Sequence, residues 1–173
     1  MQILRKALYG LFFFTVYFCV QVQRGIQMRT FGNKVQGKHY KEKQAVYGIL
    51  HGPSRKIGII RKKNDHLLML PGGGTENGEN ELECLEREVL EETGYTINKP
   101  AFLCQGTQYF QSRDGSTYIQ NIGSFYSCSL GVKLIEPVEE DHELIWLTPK
   151  EAADGLFHQH QAWAVRQYFE SLD

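Results

Sequence analysis

Residues 70–95 read LPGGGTENGENELECLEREVLEETGY, and this stretch decides how the rest of the chain is interpreted. Its beginning, Leu70 to Thr75, is rich in glycine, and residues without a Cβ atom let backbone amides and carbonyls approach a ligand closely. From about Gly78 to Thr93 the residues are strong helix formers, and Gly94 is a natural residue to end a helix. The stretch therefore predicts a glycine-rich turn followed by a helix.

One face of this helix is predicted to be buried. Leu82, Leu85 and Val89 recur at i, i+3 and i+7, the spacing of an apolar stripe. Cys84 lies just off that stripe and is expected to be a small packed residue. The other cysteines, Cys19, Cys104 and Cys128, form no CxxC pair with it, so no zinc site or disulfide framework is expected.

A second face of the helix is acidic. Glu88, Glu91 and Glu92 fall at i, i+3 and i+4, where like charges repel one another and the end of the helix dipole disfavours them. Stability therefore does not explain these residues. A hard divalent cation such as Mg²⁺ binds carboxylate oxygens and would remove both penalties. Arg87 could orient one carboxylate through a bidentate contact.

Together with Gly73 and Glu79, these residues complete a longer motif. Gly73, five residues, Glu79, seven residues and the run REVLEETGY from Arg87 to Tyr95 resemble the complete box of the MutT/Nudix hydrolase family. Every fixed position matches, and Tyr95 fills the last apolar position as an aromatic variant. The alternative is a solvated acidic helix face, the usual meaning of a charge run. That alternative predicts neither the glycine-rich turn nor the Arg-Glu order.

The resemblance implies an α/β fold in which a mixed β-sheet is sandwiched between helices, with the Nudix domain spanning residues 43–173. It implies a hydrolase that cleaves a diphosphate linkage with metal-activated water, using Mg²⁺ or, as a substitute, Mn²⁺. By the same resemblance, the metal ligands would be the Gly72 carbonyl, Glu79, Glu88, Glu91 and Glu92.

The catalytic residues implied by the resemblance are Glu88, Glu91 and Arg87, joined in MutT-type enzymes by one more glutamate from a later loop. We expect Glu140 in that role from its spacing to Trp146, with Glu139 in reserve. An acidic loop that only solvates the protein is the alternative. The histidines His142, His158 and His160 are assigned structural roles or roles at the edge of the substrate.

The substrate is expected to be a small nucleotide, with a nucleoside triphosphate or dinucleoside polyphosphate favoured. Tyr47 or Tyr109 could stack on a base, and Arg61 could contact phosphates, although such residues are more often core or solvated strand ends. ADP-ribose-cleaving relatives tend to carry a proline where this chain has Phe110. An ADP-ribose or nucleotide-sugar pyrophosphatase and a non-catalytic ligand sensor are the alternatives.

Length and charge are those of an ordinary globular domain. The chain has 173 residues and a net charge of −1, so no nucleic-acid partner is indicated, and a homodimer is possible. Residues 1–27 contain an apolar run over 7–22, which is a signal, a membrane anchor, a core helix, or the product of a start codon assigned too early, with Met28 as the true start. The protein is expected to be cytoplasmic, or membrane-anchored if the run is translated.

The remaining pattern predicts alternating strands and helices. A linker occupies residues 28–42, and strands follow at 44–50, 56–60, 101–110, 117–127, 132–134 and 144–147. Arg113 to Ser116 is predicted to be a hairpin turn. Thr148, Pro149 and Glu151 have the N-cap, N1 and N3 spacing of a helix start. A closing amphipathic helix is expected from His158 to Leu172.

Overall fold

The computed structural model describes residues 28–171. The interpretations of the apolar run in residues 1–27 lie outside the described residues. The strands are β1 (Met28–Phe31), β2 (Tyr40–His51), β3 (Ile57–Lys62), β4 (Leu68–Met69), β5 (Gly72–Gly74), β6 (Tyr95–Gln111), β7 (Tyr118–Lys133) and β8 (His142–Leu147). The helices are α1 (Glu81–Thr93), α2 (Pro149–Gly155) and α3 (Gln159–Glu170), and Pro53–Arg55 forms a 3-10 turn.

All the strands join one mixed sheet, which is built around β2. The order is β1-β6-β7-β2-β3-β4, with β5 pairing β2 and β8 pairing β3. β2 runs parallel to β7 along its whole length, and β1 runs parallel to β6, while the other pairs are antiparallel. The opposite edge of β2 is shared: β5 pairs with residues 45–47 and β3 with residues 50–51.

Alternation along β2 gives the sheet two apolar faces. Tyr47 and Ile49 contribute to a core formed with α2 and α3, whereas Val46 and Leu50 contribute to a core formed with α1. Successive side chains of a strand point to opposite faces, so one strand can bury residues against both helical layers. The predicted α/β/α arrangement is therefore confirmed.

Helix α1 has a defined start and end. Asn80 is the N-cap: its side chain accepts hydrogen bonds from the amides of Leu82 and Glu83, and Glu83 accepts in return from the Asn80 amide. This capping box starts the helix three residues after Gly78, later than the sequence pattern suggested. Gly94 ends it in the left-handed conformation (φ 79°), as predicted.

The buried face of α1 differs from the predicted stripe at one position. Leu85 and Val89 are fully buried, but Leu82 is 40% exposed, so its predicted burial was wrong. Glu81, four residues before Leu85, takes the sheet-facing place. Its carboxylate accepts hydrogen bonds from the Ser124 hydroxyl (2.7 Å) and the Tyr126 hydroxyl (2.5 Å).

The predicted linker at residues 28–42 is only partly irregular, because it contains β1 and the first residues of β2. The later elements follow the sequence pattern more closely. The capping box of Thr148 and Glu151 is present at the start of α2, and Trp163 and Val165 of α3 are buried. Cys84, Cys104 and Cys128 are buried free thiols. Within residues 28–171, no helix combines the length and apolarity needed to cross a membrane.

The two leucines of α1 provide a matched test of this packing. We expect Leu85→Ala to lower the free energy of unfolding by about 2–5 kcal/mol, because it opens a cavity in the core between α1 and the sheet. The same change at Leu82 should cost about 0.5 kcal/mol or less, because that side chain is largely in solvent. Urea unfolding of both variants measures the difference, and equal losses would contradict the described orientation of α1.

Candidate active site

The glycine run forms strand β5, and not the predicted turn. Ala45, Val46 and Tyr47 of β2 pair with Gly74, Gly73 and Gly72 respectively. At Gly72 the φ angle is 135°, and a Cβ atom would lie 2.1 Å from the Val46 carbonyl oxygen. Only glycine fits this close backbone approach.

The backbone of β5 also contacts the acidic face of α1. The Gly72 amide donates to Glu92 Oε2 at 2.9 Å, which orients that buried carboxylate. A Cβ atom at Gly73 would lie 2.5 Å from the Glu88 carboxyl carbon, so Glu88 occupies the space that a side chain would need. The glycines therefore place two of the predicted metal ligands against the sheet.

Arg87 connects the other glutamates of the motif. It binds Glu79 through two hydrogen bonds, from Nε (3.0 Å) and from Nη2 (2.8 Å). Its Nη1 donates to Glu88 at 2.9 Å and to Glu91 at 3.2 Å, and Nη2 also donates to the Gly74 carbonyl at 3.3 Å. The predicted bidentate contact exists, and its partner is Glu79.

Burial and charge shift the carboxyl groups in opposite directions. The hydrogen bonds from Arg87 hold the pKa of Glu79 at about 2. Burial raises the pKa of Glu88 and of Glu92, and the contacts of these groups with Arg87 and the Gly72 amide oppose that effect only in part. Several carboxylates thus share a partly buried space that contains one arginine, an arrangement that a cation would stabilise.

The loop before β8 is attached to the end of α1. The Val138 amide donates to the Glu91 carbonyl at 2.8 Å, and the Leu134 amide donates to the Gly94 carbonyl at 2.8 Å. These bonds satisfy carbonyls that a helix terminus leaves without an intrahelical partner. They also hold residue 139 beside the acidic face of α1.

Glu139, and not Glu140, reaches the acidic face. Glu139 Oε2 lies 2.7 Å from His142 Nδ1, and that nitrogen lies 3.3 Å from Glu92 Oε1. These three side chains form a group whose geometry could hold a metal ion. Glu140 is not part of it, and its backbone carbonyl accepts from Lys63 Nζ at 2.7 Å. Because consecutive loop residues point in different directions, spacing from Trp146 could not separate the two glutamates.

A pocket of about 300 Å³ lies beside β3, β4 and β6, and none of its lining residues belongs to the acidic group. Met69, in its wall, is three residues from Gly72, and Lys62 is the strand partner of His142. The pocket is lined by Lys62, Asp65, Leu67, Met69, Gln108, Phe110, Gln111, Arg113, Phe157 and His158. Aromatic and apolar walls with a few amide and charged groups are the usual composition of a small-molecule site.

Strand alternation separates the two neighbouring aromatic residues of β6. Phe110 lines the pocket, with its ring centroid 5.0 Å from that of His158. Tyr109 points to the other face of β6, where its ring lies edge-on to Tyr40 at 5.2 Å. Neighbouring strand residues face opposite sides, so only one of the two can line the pocket.

The same alternation applies to the predicted phosphate-binding arginine. Arg61 forms a 2.7 Å ion pair with Glu143 and is not in the pocket wall, whereas the next residue, Lys62, is. A phosphate-binding role for this basic cluster stays a prediction, and Lys62 is its member that lines the pocket.

Tyr47 cannot stack on a base. Its ring is 7% exposed, stacked on Phe125 at 5.5 Å and edge-on to His160 at 5.7 Å. Its hydroxyl accepts a hydrogen bond from Asn121 Nδ2 at 3.0 Å. The predicted substrate role of Tyr47 is therefore corrected to a core role, because neither ring face is open.

Two neutral histidines lie at the pocket, with His158 in its wall and His160 behind Gln108. Burial lowers the pKa of His158 to about 4 and that of His160 to about 3. His160 Nδ1 lies 2.8 Å from Gln108 Oε1 and fixes that amide in the pocket wall. These contacts are structural, and a role at the edge of the substrate stays a prediction. His158 precedes α3 with an extended backbone, so its ring reaches within 5.5 Å of the His160 ring despite the two-residue spacing.

Comparison with known proteins identifies this arrangement. The family model described as the NUDIX domain matches residues 41–169. The chain belongs to the NUDIX family. Within the NUDIX box, the arginine links the glutamates and the glycines admit them to the sheet, as described above for Arg87, Gly72 and Gly73.

Two relatives match parts of this NUDIX chain. Nudix hydrolase 12, mitochondrial, from Arabidopsis thaliana is 26% identical over 124 residues, covering 68% of this chain and 60% of that protein. A putative 8-oxo-dGTP diphosphatase from Bacillus subtilis (strain 168) is 40% identical over 52 residues, covering 30% of this chain and 35% of that protein. The chain therefore spans less than two thirds of the length of either relative.

Solved structures support the NUDIX fold. A NUDIX hydrolase from Nitrosomonas europaea superposes with a TM-score of 0.60 at 17% identity, covering 76% of this chain and 90% of that chain. At this level of identity the likeness concerns the fold, and it agrees with a mixed sheet between helices.

The role of Arg87 can be tested through the titration of Glu79. We expect Arg87→Gln to raise the pKa of Glu79 from about 2 towards the ordinary value of about 4.3, because the carboxylate loses its bidentate cation. Side-chain carboxyl NMR signals followed against pH would measure the shift. Asp114 is the internal control, since Ser112 and Ser116 hold its pKa at about 2. An unchanged pKa of Glu79 would contradict the described contact between Glu79 and Arg87.

Proposed function

We propose that this NUDIX hydrolase cleaves a diphosphate linkage of a nucleoside diphosphate derivative, with nucleoside triphosphates as the favoured substrates, and that it requires a divalent metal. The observation that carries the proposal is the acidic group of α1, which Arg87 and the Gly72 amide hold in place.

The residues present fit a bound Mg²⁺ or Mn²⁺. Glu92 is buried and Glu88 is partly buried, burial raises the pKa of both, and Glu92 Oε1 faces the unpartnered ring nitrogen of His142. The residues that would hold metal are the Gly72 carbonyl, Glu79, Glu88, Glu91 and Glu92. When bound, the metal would neutralise charge on phosphate oxygens and make a water molecule nucleophilic near neutral pH.

The protein side chains would hold this site in a fixed geometry. Glu79 binds Arg87, which in turn contacts Glu88 and Glu91, so rotation of any one carboxylate breaks a charge-assisted hydrogen bond. The hydrogen bond from the Gly72 amide restricts rotation of the Glu92 carboxylate in the same way. Carboxylates fixed in advance need no reorganisation during the reaction, which is the main way a protein stabilises developing charge.

Glu139 is the candidate for accepting a proton from the attacking water. Its side chain is 47% exposed and touches the buried His142, so it connects solvent with the acidic group. A carboxylate that can reach both solvent and the acidic group is positioned to act as a general base. Glu140, predicted from the sequence, does not belong to this group.

The pocket would bind the base and the first phosphates. Phe110 offers an aromatic face, and the Gln108 amide, fixed by His160, offers a polar group at the base edge. Lys62 lies in the pocket wall beside the strand that carries His142, where a phosphate chain would pass. A volume of about 300 Å³ is at the small end for ligand pockets and suits one nucleoside. The name of the Bacillus subtilis relative favours a nucleoside triphosphate.

A substrate panel tests the proposal. Nucleoside triphosphates (including oxidised forms), dinucleoside polyphosphates, ADP-ribose and a nucleotide sugar would each be incubated with Mg²⁺, with Mn²⁺ and with EDTA. We expect metal-dependent release of a monophosphate and pyrophosphate from a triphosphate, and no product with EDTA. If only ADP-ribose or the nucleotide sugar is hydrolysed, that compound replaces nucleoside triphosphates as the favoured substrate. A folded protein that binds nucleotide without turnover would support the ligand-sensor alternative.

The two loop glutamates give a matched pair for the proton acceptor. We expect Glu139→Gln to lower kcat by about 10²-fold or more, the usual contribution of a general base. Glu140→Gln should leave kcat within about twofold, because its carboxylate is not in the acidic group and an exposed neutral change disturbs little. Steady-state kinetics on the substrate found in the panel measures both. A larger loss of kcat in Glu140→Gln than in Glu139→Gln would restore Glu140 as the proton acceptor expected from the sequence.

A further inference from the structure

His142 is a buried histidine whose ring nitrogens have no hydrogen-bond partner. Its side chain is 3% exposed, and neither Nδ1 nor Nε2 makes a hydrogen bond of acceptable geometry. Buried polar atoms are nearly always paired, so an orphaned pair of ring nitrogens calls for an explanation. Nδ1 is nevertheless close to two carboxylate oxygens, Glu139 Oε2 at 2.7 Å and Glu92 Oε1 at 3.3 Å.

These three atoms have the spacing of neighbouring ligands around one ion. With metal–ligand bonds of about 2.1 Å, adjacent ligands of a six-coordinate ion lie roughly 3 Å apart. The two measured distances fall on either side of that value. The three ligand atoms also lie within 4.8 Å of one another. The three atoms are therefore close enough to share one ion, and the same two contacts are also short enough for an ion pair.

Neighbouring groups orient the three side chains. Glu92 Oε2 accepts from the Gly72 amide at 2.9 Å, which leaves Oε1 directed at His142. Glu139 follows Val138, whose amide is bonded to the Glu91 carbonyl. The second ring nitrogen, Nε2, lies 3.9 Å from Asp141 Oδ1. A carboxylate beside the second nitrogen is the usual support of a metal-binding histidine.

We propose that His142 Nδ1 is a metal ligand, and that with Glu92 Oε1 and Glu139 Oε2 it forms a mixed nitrogen and oxygen site that favours Mn²⁺ over Mg²⁺, while Glu139 Oε1 accepts the proton of the attacking water. The inference rests on the proposed metal dependence and adds a ligand that the motif itself does not contain. Imidazole raises the affinity of a site for transition metals, whereas Mg²⁺ prefers oxygen alone. One side chain outside the box therefore sets the metal preference.

The competing explanation is an ion pair, in which a protonated His142 bridges two carboxylates. An ion pair would position Glu92 equally well, but it would keep the imidazole away from any metal. The two cases differ in one observable, the magnetic coupling between the metal and the ring nitrogen. Activity alone does not separate them.

The experiment is pulsed EPR of the full chain with Mn²⁺ added at less than one ion per protein. We expect modulation from a directly bound ¹⁴N nucleus in the unlabelled protein. In a chain whose histidines carry ¹⁵N, the ¹⁴N modulation should be replaced by that of ¹⁵N. The wild-type labelling result decides the proposal even if variants at position 142 fold poorly.

Variants identify which histidine gives the nitrogen coupling. His142→Gln should remove the nitrogen coupling, and calorimetry should show Mn²⁺ affinity lowered by about tenfold or more, with a change of less than about threefold for Mg²⁺. His39→Gln is the matched control, because His39 is exposed and distant in the sequence from every residue of the site. It should keep both the coupling and the affinities.

Two results would overturn the proposal, and they are distinguishable. If Mn²⁺ binds and supports turnover without nitrogen coupling, His142 is only an ion-pair partner and the proposed function stands. If Mn²⁺ does not bind and turnover is unaffected by EDTA, the metal-dependent function fails together with this inference.

Discussion

The close approach of β5 to β2 is the constraint on which the site depends. Three glycines pair with the central strand, and at Gly72 there is no room for a side chain beside the Val46 carbonyl. This places the Gly72 amide at Glu92 and leaves the space at Gly73 for Glu88. The acidic face of α1 can therefore lie against a sheet edge. Without that arrangement the helix would carry the same glutamates in solvent.

The site combines repulsion and desolvation of carboxylates, which lower stability, with contacts that offset part of that loss. Glu88, Glu91 and Glu92 are like charges near the end of a helix, and two of them are desolvated enough to have raised pKa values. Arg87 and the Gly72 amide compensate part of this charge, and the remainder is suited to a cation. The core beneath α1, formed by residues such as Leu85 and Val89, keeps the helix in place. Stability comes from one face of the helix and chemistry from another.

The sequence predicted the family, the layered fold and the glutamates of α1, because these follow from a motif with fixed spacing and from periodic burial. It missed what depends on contacts between distant segments. Leu82 turns outward because Ser124 and Tyr126 bind Glu81, and no local pattern contains that information. The pocket wall contains Phe110 and Lys62 and not their neighbours Tyr109 and Arg61, since alternation fixes two faces of a strand without saying which one lines the pocket. Glu139 was ranked behind Glu140 because loop residues follow no period.

The hydrogen bond between the Val138 amide and the Glu91 carbonyl also has a consequence for synthesis of the protein. It joins a loop near the end of the fold to a helix that leaves the ribosome 47 residues earlier. A nascent chain that stops before this loop already contains the whole NUDIX box, but it lacks Glu139 and His142. With Glu139 and His142 in the roles proposed above, hydrolysis has to wait until this loop is made, and shorter translation products carry the motif without these two residues.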